Sequence, residues 1–433
     1  MSRVRVFTRS LGCPKNLVDT ENILGGLGKS YEPAPDIQNC DVVLINTCAF
    51  IQPAVEESLE VIFAAHEERR RLEKSPLLVV TGCLPSRYGN SLEMELPEAD
   101  LLAPISRQKN LPQDILAALN AKPASSACQR RISTPNSYAY LKISEGCNNK
   151  CFFCTIPSIR GRLKSRNADD ILTEAQWLIS SGIKEIIVVA QDSTAWGRDS
   201  AETSDAAGLI AELSGLKGLQ RLRLMYLYPT GLSHTFLEFM ARTGPPLLPY
   251  FDVPFQHSHP DILKSMGRPF RQDPMEVVKK IRQVLPGAVL RTTLITGYPG
   301  EKEEHFAHLC DFVKNVGFNH LGVFPFHAEE GTRAAEMPEQ VPEEQKVRRA
   351  EMIMSMQKNI SREKLAKYQD KEVEVLVDIP HPEWPGLFMG RTWFQAPEID
   401  GITYVSGPDV EPGAIVRARV QETKDYDLVA MQD

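Results

Sequence analysis

The sequence contains no apolar run close to the roughly 18 residues that a membrane-spanning helix requires. Its first residues, MSRVRVFTRSLGC, include basic side chains but no continuous apolar stretch, so they lack the form of a signal peptide. No repeat is apparent at the periods of roughly 20–50 residues that are typical of solenoids. These absences argue against a membrane protein, a secreted protein and a repeat array, and they predict a cytoplasmic protein.

The cysteines do not have the arrangement of a small disulfide-bonded domain. There are nine, an odd number, in 433 residues of which 42% are hydrophobic and 24% are charged. That is ordinary globular composition, and the length suggests roughly two to four domains. Several cysteines are closely grouped, which in a reducing compartment indicates metal or redox chemistry rather than disulfides.

Negative charge is concentrated near the C-terminal end. The net formal charge is −7, and from Tyr368 onward 13 acidic and 5 basic residues give −8, so the rest of the chain carries +1. An acidic surface repels phosphate backbones and attracts basic partners. The alternative is that this surface only keeps the protein solvated.

Alternating apolar and amphipathic segments divide the chain into three regions, which together predict an α/β protein. Residues 1–125 have the pattern of a parallel-sheet α/β domain, and 121–131 is typical of a linker. Residues 133–367 hold six strand candidates with interleaved amphipathic stretches and a final long helix, which predicts a partial (β/α) barrel. Residues 368–433 predict a small antiparallel β-barrel. The six strand candidates are YAYLKIS, EIIVVAQ, LQRLRLMYLY, YFDVPF, VLRTTLITG and HLGVFPF.

A first set of three cysteines lies in SEGCNNKCFFCTIPS, where Cys147, Cys151 and Cys154 fall within eight positions. Thiolates are soft ligands that suit iron–sulfur clusters or zinc. The spacing fits three corners of a cubane cluster better than the paired cysteines of zinc sites. Three thiolates leave one iron open for a substrate. A zinc site with a distant fourth ligand and chance clustering are the alternatives.

A second set consists of Cys13, Cys48 and Cys83, which are 35 residues apart in both intervals. Each follows an apolar strand candidate, and the carboxyl ends of parallel strands meet at one edge of a sheet. We therefore expect the three thiols to converge on a second cluster, the alternative being three buried core cysteines. The other cysteines lack such placement and are interpreted as structural; they are Cys40, Cys128 and Cys310.

The motif CNNKCFFC resembles the signature of radical S-adenosylmethionine (SAM) enzymes. In that family SAM chelates the open iron, and an electron from the cluster cleaves it to a radical that abstracts hydrogen from carbon. The resemblance implies a 4Fe-4S cluster on Cys147, Cys151 and Cys154, and it places Phe153 near the adenine.

Two sets of three cysteines, an α/β barrel and a C-terminal barrel resemble the methylthiotransferase family over nearly the whole chain. The resemblance implies a second 4Fe-4S cluster on Cys13, Cys48 and Cys83 that carries the inserted sulfur, two SAM molecules per turnover, and a C-terminal TRAM domain. Several segments resemble the RimO-type branch, which modifies the β-carbon of an aspartate in small-subunit ribosomal protein twelve. These segments are SLGCPKNLVDTEN, SEGCNNKCFFCTIPSIRG, VPFQHSHPDILKSMGRP, AEEGTRAA and APEIDGITYV.

The acidic C-terminal region favours a basic protein over RNA as partner, because an RNA-binding domain is expected to be basic. The expected partners are ribosomal protein twelve or the small subunit, an electron donor and a sulfur source, with no membrane. The alternatives are a transfer RNA adenosine methylthiotransferase and a non-enzymatic electron carrier, although two incomplete cysteine sets argue against a carrier.

The segment TTLITGYPGEKEEHF follows a strand and opens a helix, a place where glycines and free N–H groups accommodate a cofactor. By resemblance it helps to bind SAM, with Gly297, Gly300 and Glu301 as candidates. Two further candidates, Gln191 and Gln256, end other strands at the barrel mouth. For each, a local turn or hydrogen bond is the alternative, and no catalytic side chain is identified.

Two other groups are less specific. The IRGRLKSR segment supplies basic side chains that either neutralise a carboxylate or form a solvated loop; they are Arg160, Arg162, Lys164 and Arg166. His257 and His259 have a metal-ligand spacing, but the following proline and the absence of a third partner argue against zinc.

Overall fold

A computed structural model describes residues 3–121, 130–200, 205–269 and 272–432. They form two compact units. The first contains residues 1–133, 146–148 and 154–162, and the second contains residues 134–145, 149–153 and 163–433. The second and third predicted regions thus lie in one unit. Within the described ranges, none of the helices combines the length and apolar character needed to cross a bilayer.

The first unit is built on a five-stranded parallel sheet with the order β2-β1-β3-β4-β5. All six residues of its central strand β3 are buried, since helices cover both faces of the sheet. The elements up to residue 121 are β1 Val4–Ser10, α1 Pro14–Gly26, β2 Tyr31–Pro33, β3 Val42–Thr47, α2 Gln52–Arg69, β4 Leu77–Gly82, α3 Cys83–Tyr88, α4 Asn90–Glu95, β5 Leu101–Pro104 and α5 Leu111–Ala118.

The predicted linker is described only in part. Residues 122–129, including Cys128, lie outside the described residues. Arg130 pairs with Glu21 of α1 at 3.2 Å, and both side chains are almost fully buried. The backbone N–H of Arg131 also donates to the carbonyl of Glu21. The end of this segment is therefore packed against α1 within the first unit.

The second unit contains all six predicted strands, in two parallel three-stranded sheets with the orders β10-β9-β6 and β11-β12-β13. A parallel bridge between Leu222 and Leu247 continues the pairing between them. The predicted partial barrel is confirmed. The next elements are β6 Tyr138–Lys142, β7 Ser144–Glu145, α6 Ile156–Arg160 (in the first unit), β8 Lys164–Ser165, α7 Ala168–Ser180, β9 Glu185–Val189, α8 Ala206–Ser214, β10 Arg221–Leu224, α9 His234–Thr243, β11 Tyr250–Asp252, α10 Pro260–Ser265, α11 Pro274–Val284, β12 Val289–Thr296, α12 Glu303–Val316, β13 His320–Pro325 and α13 Glu343–Leu365.

The C-terminal region forms a closed five-stranded barrel with the order β14-β15-β16-β18-β17. The barrel is predicted correctly, but the expectation that it is antiparallel throughout is wrong, because β16 and β18 pair in parallel. Alternating directions cannot close a ring of five strands, so one adjacent pair must run parallel. The strands are β14 Glu372–Pro380, β15 Phe388–Arg391, β16 Thr403–Ser406, β17 Ile415–Thr423 and β18 Leu428–Met431.

Buried charges join this barrel to the strands of the second unit. Glu185 on β9 accepts from Arg223 at 2.6 Å and from Arg391 of the barrel at 2.9 Å, with side chains at most 4% exposed. Arg391 also donates to Asp378 at 2.8 Å. Buried ions need such partners, so the two parts depend on each other for charge compensation.

The APEIDG segment contributes to the same junction. Asp400 accepts from the Tyr250 hydroxyl at 2.6 Å and lies 3.4 Å from both Arg291 and His320. Glu398 accepts from the Tyr138 hydroxyl at 3.2 Å. A segment that resembles one family branch therefore anchors the barrel.

Candidate metal centres and cofactor site

The second cysteine set converges at the carboxyl edge of the parallel sheet. Cys48 and Cys83 directly follow β3 and β4, and Cys13 lies three residues beyond β1, which is the neighbour of β3. Burial, together with negative charge from Cys83 and Cys13, raises the pKa of the Cys48 thiol to about 11. The three thiols are therefore close enough to influence one another, as their spacing predicts.

Two glycines allow the strand ends to approach each other. Gly12 has φ +83°, and a Cβ there would lie 2.7 Å from Cβ and 2.9 Å from Sγ of Cys48. Gly82 has φ +101°, and a Cβ there would lie 2.2 Å from Oδ1 of Asn46. Both positions require glycine. At each glycine the close approach is to the end of a neighbouring strand.

Asn16 on α1 connects these strand ends. Its side-chain amide donates to the carbonyls of Leu11 and Thr47, both at 2.9 Å. Its Oδ1 lies 3.8 Å from Sγ of Cys83. The residue is fully buried, so it fixes the loops that carry all three cysteines without showing any motif of its own.

The sequence singled out Arg160 only as one of four basic side chains of the IRGRLKSR segment, and its place at the second cysteine set was not predicted. It is the last residue of α6 and belongs to the first unit, and its side chain is 1% exposed. It pairs with Asp19 at 3.3 Å, hydrogen-bonds Oδ1 of Asn16, and lies 3.7 Å from Sγ of Cys83. The interpretation of this arginine as part of a solvated basic loop is therefore wrong.

The electrostatics of the site suit anionic sulfur ligands. Burial would raise the pKa of Cys13, but Lys15, Arg160 and nearby backbone N–H groups hold it below its ordinary value of 9.0. Burial raises the pKa of Cys83 despite Arg160. Three soft thiols beside two cations are a donor set that fits an iron–sulfur cluster.

The first cysteine set lies on the loop between β7 and α6, and all three of its members are partly exposed. The backbone N–H of Cys147 donates to the carbonyl of Gly161 at 3.1 Å. Gly146 has φ +72°, and a Cβ there would lie 2.2 Å from the carbonyl oxygen of Arg162. The turn before the first cysteine therefore requires glycine.

Cys151 lies in the second unit beside a cation that the sequence did not single out. Its Sγ is 3.7 Å from the Arg268 guanidinium, which stacks 4.3 Å from the Tyr228 ring centroid. Burial and the neighbouring Cys151 raise the pKa of the Tyr228 hydroxyl despite Arg268. A partly exposed thiol beside a guanidinium is also suited to a metal-bound thiolate.

Phe153 packs on an apolar cluster next to the end of β12. Its ring meets Tyr298 edge to face, with 6.5 Å between centroids. The cluster is formed by Ile262, Met266, Ile295, Tyr298, Phe326 and Ala334. This ring therefore has a packing role, and a contact with adenine remains a prediction.

The two glutamines have different surroundings. Gln191 follows β9, and its amide donates to Glu145 at 2.9 Å. Gln256 has φ +73°, which is uncommon for a residue other than glycine, and backbone bonds to Thr293 and Ile295 hold it there. Strained backbone persists where its surroundings fix it and is frequent at functional sites.

The loop after β12 is held by α13. A Cβ on Gly297 would lie 2.1 Å from Cγ of Lys346, whereas one on Gly300 would lie 3.6 Å from Glu339. Glu301 is buried, and its carboxylate accepts from Arg349 at 2.7 Å and lies 3.4 Å from His257. Packing thus already requires glycine at 297 and a carboxylate at 301, and their contacts with SAM remain predictions.

One member of the histidine pair, His259, has two neighbours with possible ligand atoms that the sequence did not reveal. Ligand atoms of His259, Asp261 and His305 lie within 4.8 Å of one another. However, Nδ1 of His259 accepts from the backbone N–H of Asp261, and Nδ1 of His305 accepts from that of Lys302. These bonds place the proton of each neutral ring on Nε2, which opposes metal binding there.

The other basic residues of the IRGRLKSR segment have separate surroundings. Arg162 and Lys164 are exposed. Arg166 pairs with Glu174 at 2.6 Å.

Three protein-family descriptions match the chain. The radical SAM superfamily matches residues 141–313, the uncharacterized protein family UPF0004 matches residues 5–104, and the TRAM domain matches residues 371–432. The first and second matches contain the two cysteine sets, and the third matches the five-stranded barrel. Radical SAM chemistry implies iron–sulfur and SAM cofactors.

Full-length relatives share one name. The chain is 53% identical to ribosomal protein uS12 methylthiotransferase RimO of Nitratidesulfovibrio vulgaris, covering 99% of this chain and 100% of that protein. The protein of that name from Oleidesulfovibrio alaskensis is 52% identical with the same coverage. That of Aquifex aeolicus is 41% identical over 98% of this chain and 96% of its own length.

Solved structures show the same fold at low identity. The radical SAM methyltransferase TsrM from Kitasatospora setae has a TM-score of 0.54 at 16% identity, covering 75% of each chain. The cobalamin-dependent SAM radical enzyme OxsB has a TM-score of 0.51 at 13% identity, covering 82% of this chain and 56% of its own. These similarities concern the fold alone.

Proposed function

This chain belongs to the RimO family of radical SAM methylthiotransferases, and we propose that it inserts a methylthio group into ribosomal protein uS12, at the β-carbon of an aspartate. The observation that carries the proposal is the presence of two separate three-cysteine sets in a chain whose full length matches relatives of that name. One set is needed to generate the radical and the other to present sulfur.

We assign the six cysteines to two 4Fe-4S clusters. Cys147, Cys151 and Cys154 would hold the cluster that binds SAM, and Cys13, Cys48 and Cys83 would hold the cluster that carries sulfur. The first cluster would supply the electron for SAM cleavage, and the second would supply the sulfur that is methylated and inserted. An electron donor and a sulfur source are required partners, and a cytoplasmic location stays a prediction.

Around the first set, side chains of the second unit would bind and orient the cluster and SAM. Arg268 would neutralise the Cys151 thiolate, and Phe153 with Tyr298 would provide an apolar wall for the adenine. The strained backbone at Gln256 and the side chain of Gln191 would bind polar groups of SAM. On the loop after β12, Gly300 is less crowded than Gly297, and both would contact SAM together with Glu301.

We also retain the division into a cluster-binding domain at 1–125, a radical SAM core with its connecting helix at 133–367, and a docking domain at 368–433. The family matches at 5–104, 141–313 and 371–432 lie inside these boundaries.

The proposal is tested by mass spectrometry of the product. The reconstituted protein is incubated with SAM and a reductant, and with uS12, small subunits or transfer RNA in separate reactions. We expect one methylthio group to replace one hydrogen of uS12, either free or in the subunit. An adduct on transfer RNA with none on uS12 would reverse the choice of substrate.

The two cysteine sets are separated by substitution. Replacing Cys13, Cys48 and Cys83 with alanine should remove half of the iron and abolish methylthio insertion, while reductive SAM cleavage persists. The corresponding triple variant of Cys147, Cys151 and Cys154 should lose both activities. Cys310→Ala, a half-buried cysteine outside both sets, is the control. Loss of SAM cleavage in a folded first variant would contradict the division of roles.

A further inference from the structure

Arg160 connects the segments that carry the two cysteine sets. It lies six residues after Cys154 in CTIPSIR, and its side chain contacts Asp19, Asn16 and Cys83 within the first unit. One short segment therefore supplies a predicted ligand of the first cluster and a cation at the second.

The burial of this arginine is informative. A guanidinium that is 1% exposed loses its hydration and must be compensated by partners. Asp19, which is 5% exposed, provides one negative charge at 3.3 Å. The guanidinium also donates to Oδ1 of Asn16 and lies 3.7 Å from Sγ of Cys83.

The contact with Cys83 depends on the state of that sulfur. A neutral thiol accepts only a weak hydrogen bond, whereas a thiolate that binds metal accepts a charge-assisted one. Hydrogen bonds to cluster sulfurs and nearby charge are among the factors that set the reduction potential of an iron–sulfur centre.

We propose that Arg160 is a positioning residue for the second cluster, where it orients Cys83 and stabilises the added negative charge of the reduced state. This inference rests on the proposed function, because it requires a cluster on Cys13, Cys48 and Cys83. By donating to that ligand it makes the second cluster easier to reduce. It also fixes α6, and hence the end of the loop that carries Cys154, to the second site.

The test measures the second cluster by itself. The parent protein carries Cys147→Ala, Cys151→Ala and Cys154→Ala, so that only the second cluster assembles. Arg160→Lys, Arg160→Gln and the double variant Arg160→Gln/Asp19→Asn are compared with Arg162→Gln, which changes an exposed arginine two residues away. The double variant removes both members of the buried pair, so that no unpaired charge remains if Arg160→Gln alone fails to fold.

We expect a redox titration followed by electron paramagnetic resonance to give a more negative potential for the glutamine variants and partial recovery for Arg160→Lys. Loss of the cluster to an iron chelator should become about 10-fold faster or more without the guanidinium. Arg162→Gln should match the parent in both measurements.

An unchanged potential in a double variant with full iron content would overturn the inference and leave the proposed function intact. A parent protein that assembles no cluster would overturn the two-cluster function and this inference with it. Equal shifts in Arg160→Gln and Arg162→Gln would show a nonspecific effect of charge and would also overturn it.

Discussion

The identities of several residues at the second cysteine set are determined by tertiary contacts that the sequence alone does not reveal. The equal spacing of Cys13, Cys48 and Cys83 after apolar runs predicts their convergence. The position of Arg160 at this set was not predicted, because a basic segment looks the same whether its arginine is solvated or buried. Its role depends on α6 reaching the sheet edge of the first unit, which is a tertiary contact without a local pattern.

Gly12→Ala should prevent assembly of the second cluster. A Cβ would be forced to 2.7 Å from Cβ of Cys48, on a backbone whose φ of +83° already disfavours alanine. We expect about half of the iron to be lost while SAM cleavage remains, as measured by iron analysis and a cleavage assay.

Gly89→Ala is the matched control for this change, because Gly89 has φ +55° but nothing within 4 Å of its added Cβ. Equal iron loss in both variants would show that backbone conformation, and not the contact with Cys48, is responsible.

Glu301→Gln should have its main effect on stability, and a smaller effect on SAM binding. Arg349 is 1% exposed and would lose the buried carboxylate at 2.7 Å, which is expected to cost about 3–5 kcal/mol of unfolding free energy. Glu303 also pairs with Arg349, but its own side chain is 72% exposed. Glu303→Gln should therefore cost at most about 1 kcal/mol of unfolding free energy. Denaturant unfolding and equilibrium dialysis of SAM measure the two effects. Weaker SAM binding at unchanged stability would instead place the carboxylate at the cofactor.

Among the secondary-structure elements, the mostly buried strands were predictable, including the short strands β10 and β11, whereas β15 was not predicted. The apolar runs at β3, β4, β9 and β12 are fully or mostly buried. A buried strand requires apolar side chains, and these produce the run that can be recognised in the sequence. The strand β15 has only four residues, two of them half-exposed, and includes Gly390. A Cβ at Gly390 would lie 2.5 Å from the carbonyl oxygen of Leu376, so the barrel requires glycine there. The same glycine weakens the strand pattern in the sequence.

The junction between β9 and the barrel predicts a specific acid dependence of stability. Burial alone would raise the pKa of Glu185, but Arg223, Arg391 and Arg221 lower it to about 2. A carboxyl group whose pKa falls on folding stabilises the fold above its ordinary pKa of 4.5, and this contribution is lost as pH falls towards 2.

Glu185→Gln should therefore lower the unfolding free energy by about 3 kcal/mol at neutral pH. The difference from the unsubstituted protein should shrink as the pH falls below 4.5, since protonation removes the same charge. Urea unfolding of the cluster-free chain at several pH values measures this, with the exposed Glu363→Gln as control. A difference that is independent of pH would mean that packing, and not charge, accounts for the loss.

For the whole molecule, the acidic C-terminal region has two roles that composition could not separate. Of its 13 acidic residues, five bind side chains of the second unit that precede residue 368, as does one of its five basic residues, Arg391. Eight acidic and four basic residues remain, which leaves −4 of the original −8 for the surface. The five are Glu374, Asp378, Glu398, Asp400 and Asp425.

This division changes how the docking hypothesis must be tested. Deleting residues 368–433 would remove Arg391, a partner of buried Glu185, and Asp400, a partner of Arg291. Such a variant would lose stability as well as any docking surface, so weaker substrate binding would not identify the cause.

Substituting exposed charges avoids this difficulty. Glu383, Glu411 and Glu422 are exposed on the barrel, and their combined change to glutamine should weaken binding to the basic substrate several-fold. The same change at exposed positions of α2, Glu57, Glu60 and Glu67, gives a control with equal net charge. Binding to uS12 and to small subunits is measured over a range of salt concentrations, and the barrel variant should show the shallower salt dependence because salt screens exposed charges.

Equal weakening by both variants would mean that net charge acts and that the barrel is not the docking surface. Unchanged binding by both would remove the electrostatic argument for a protein substrate.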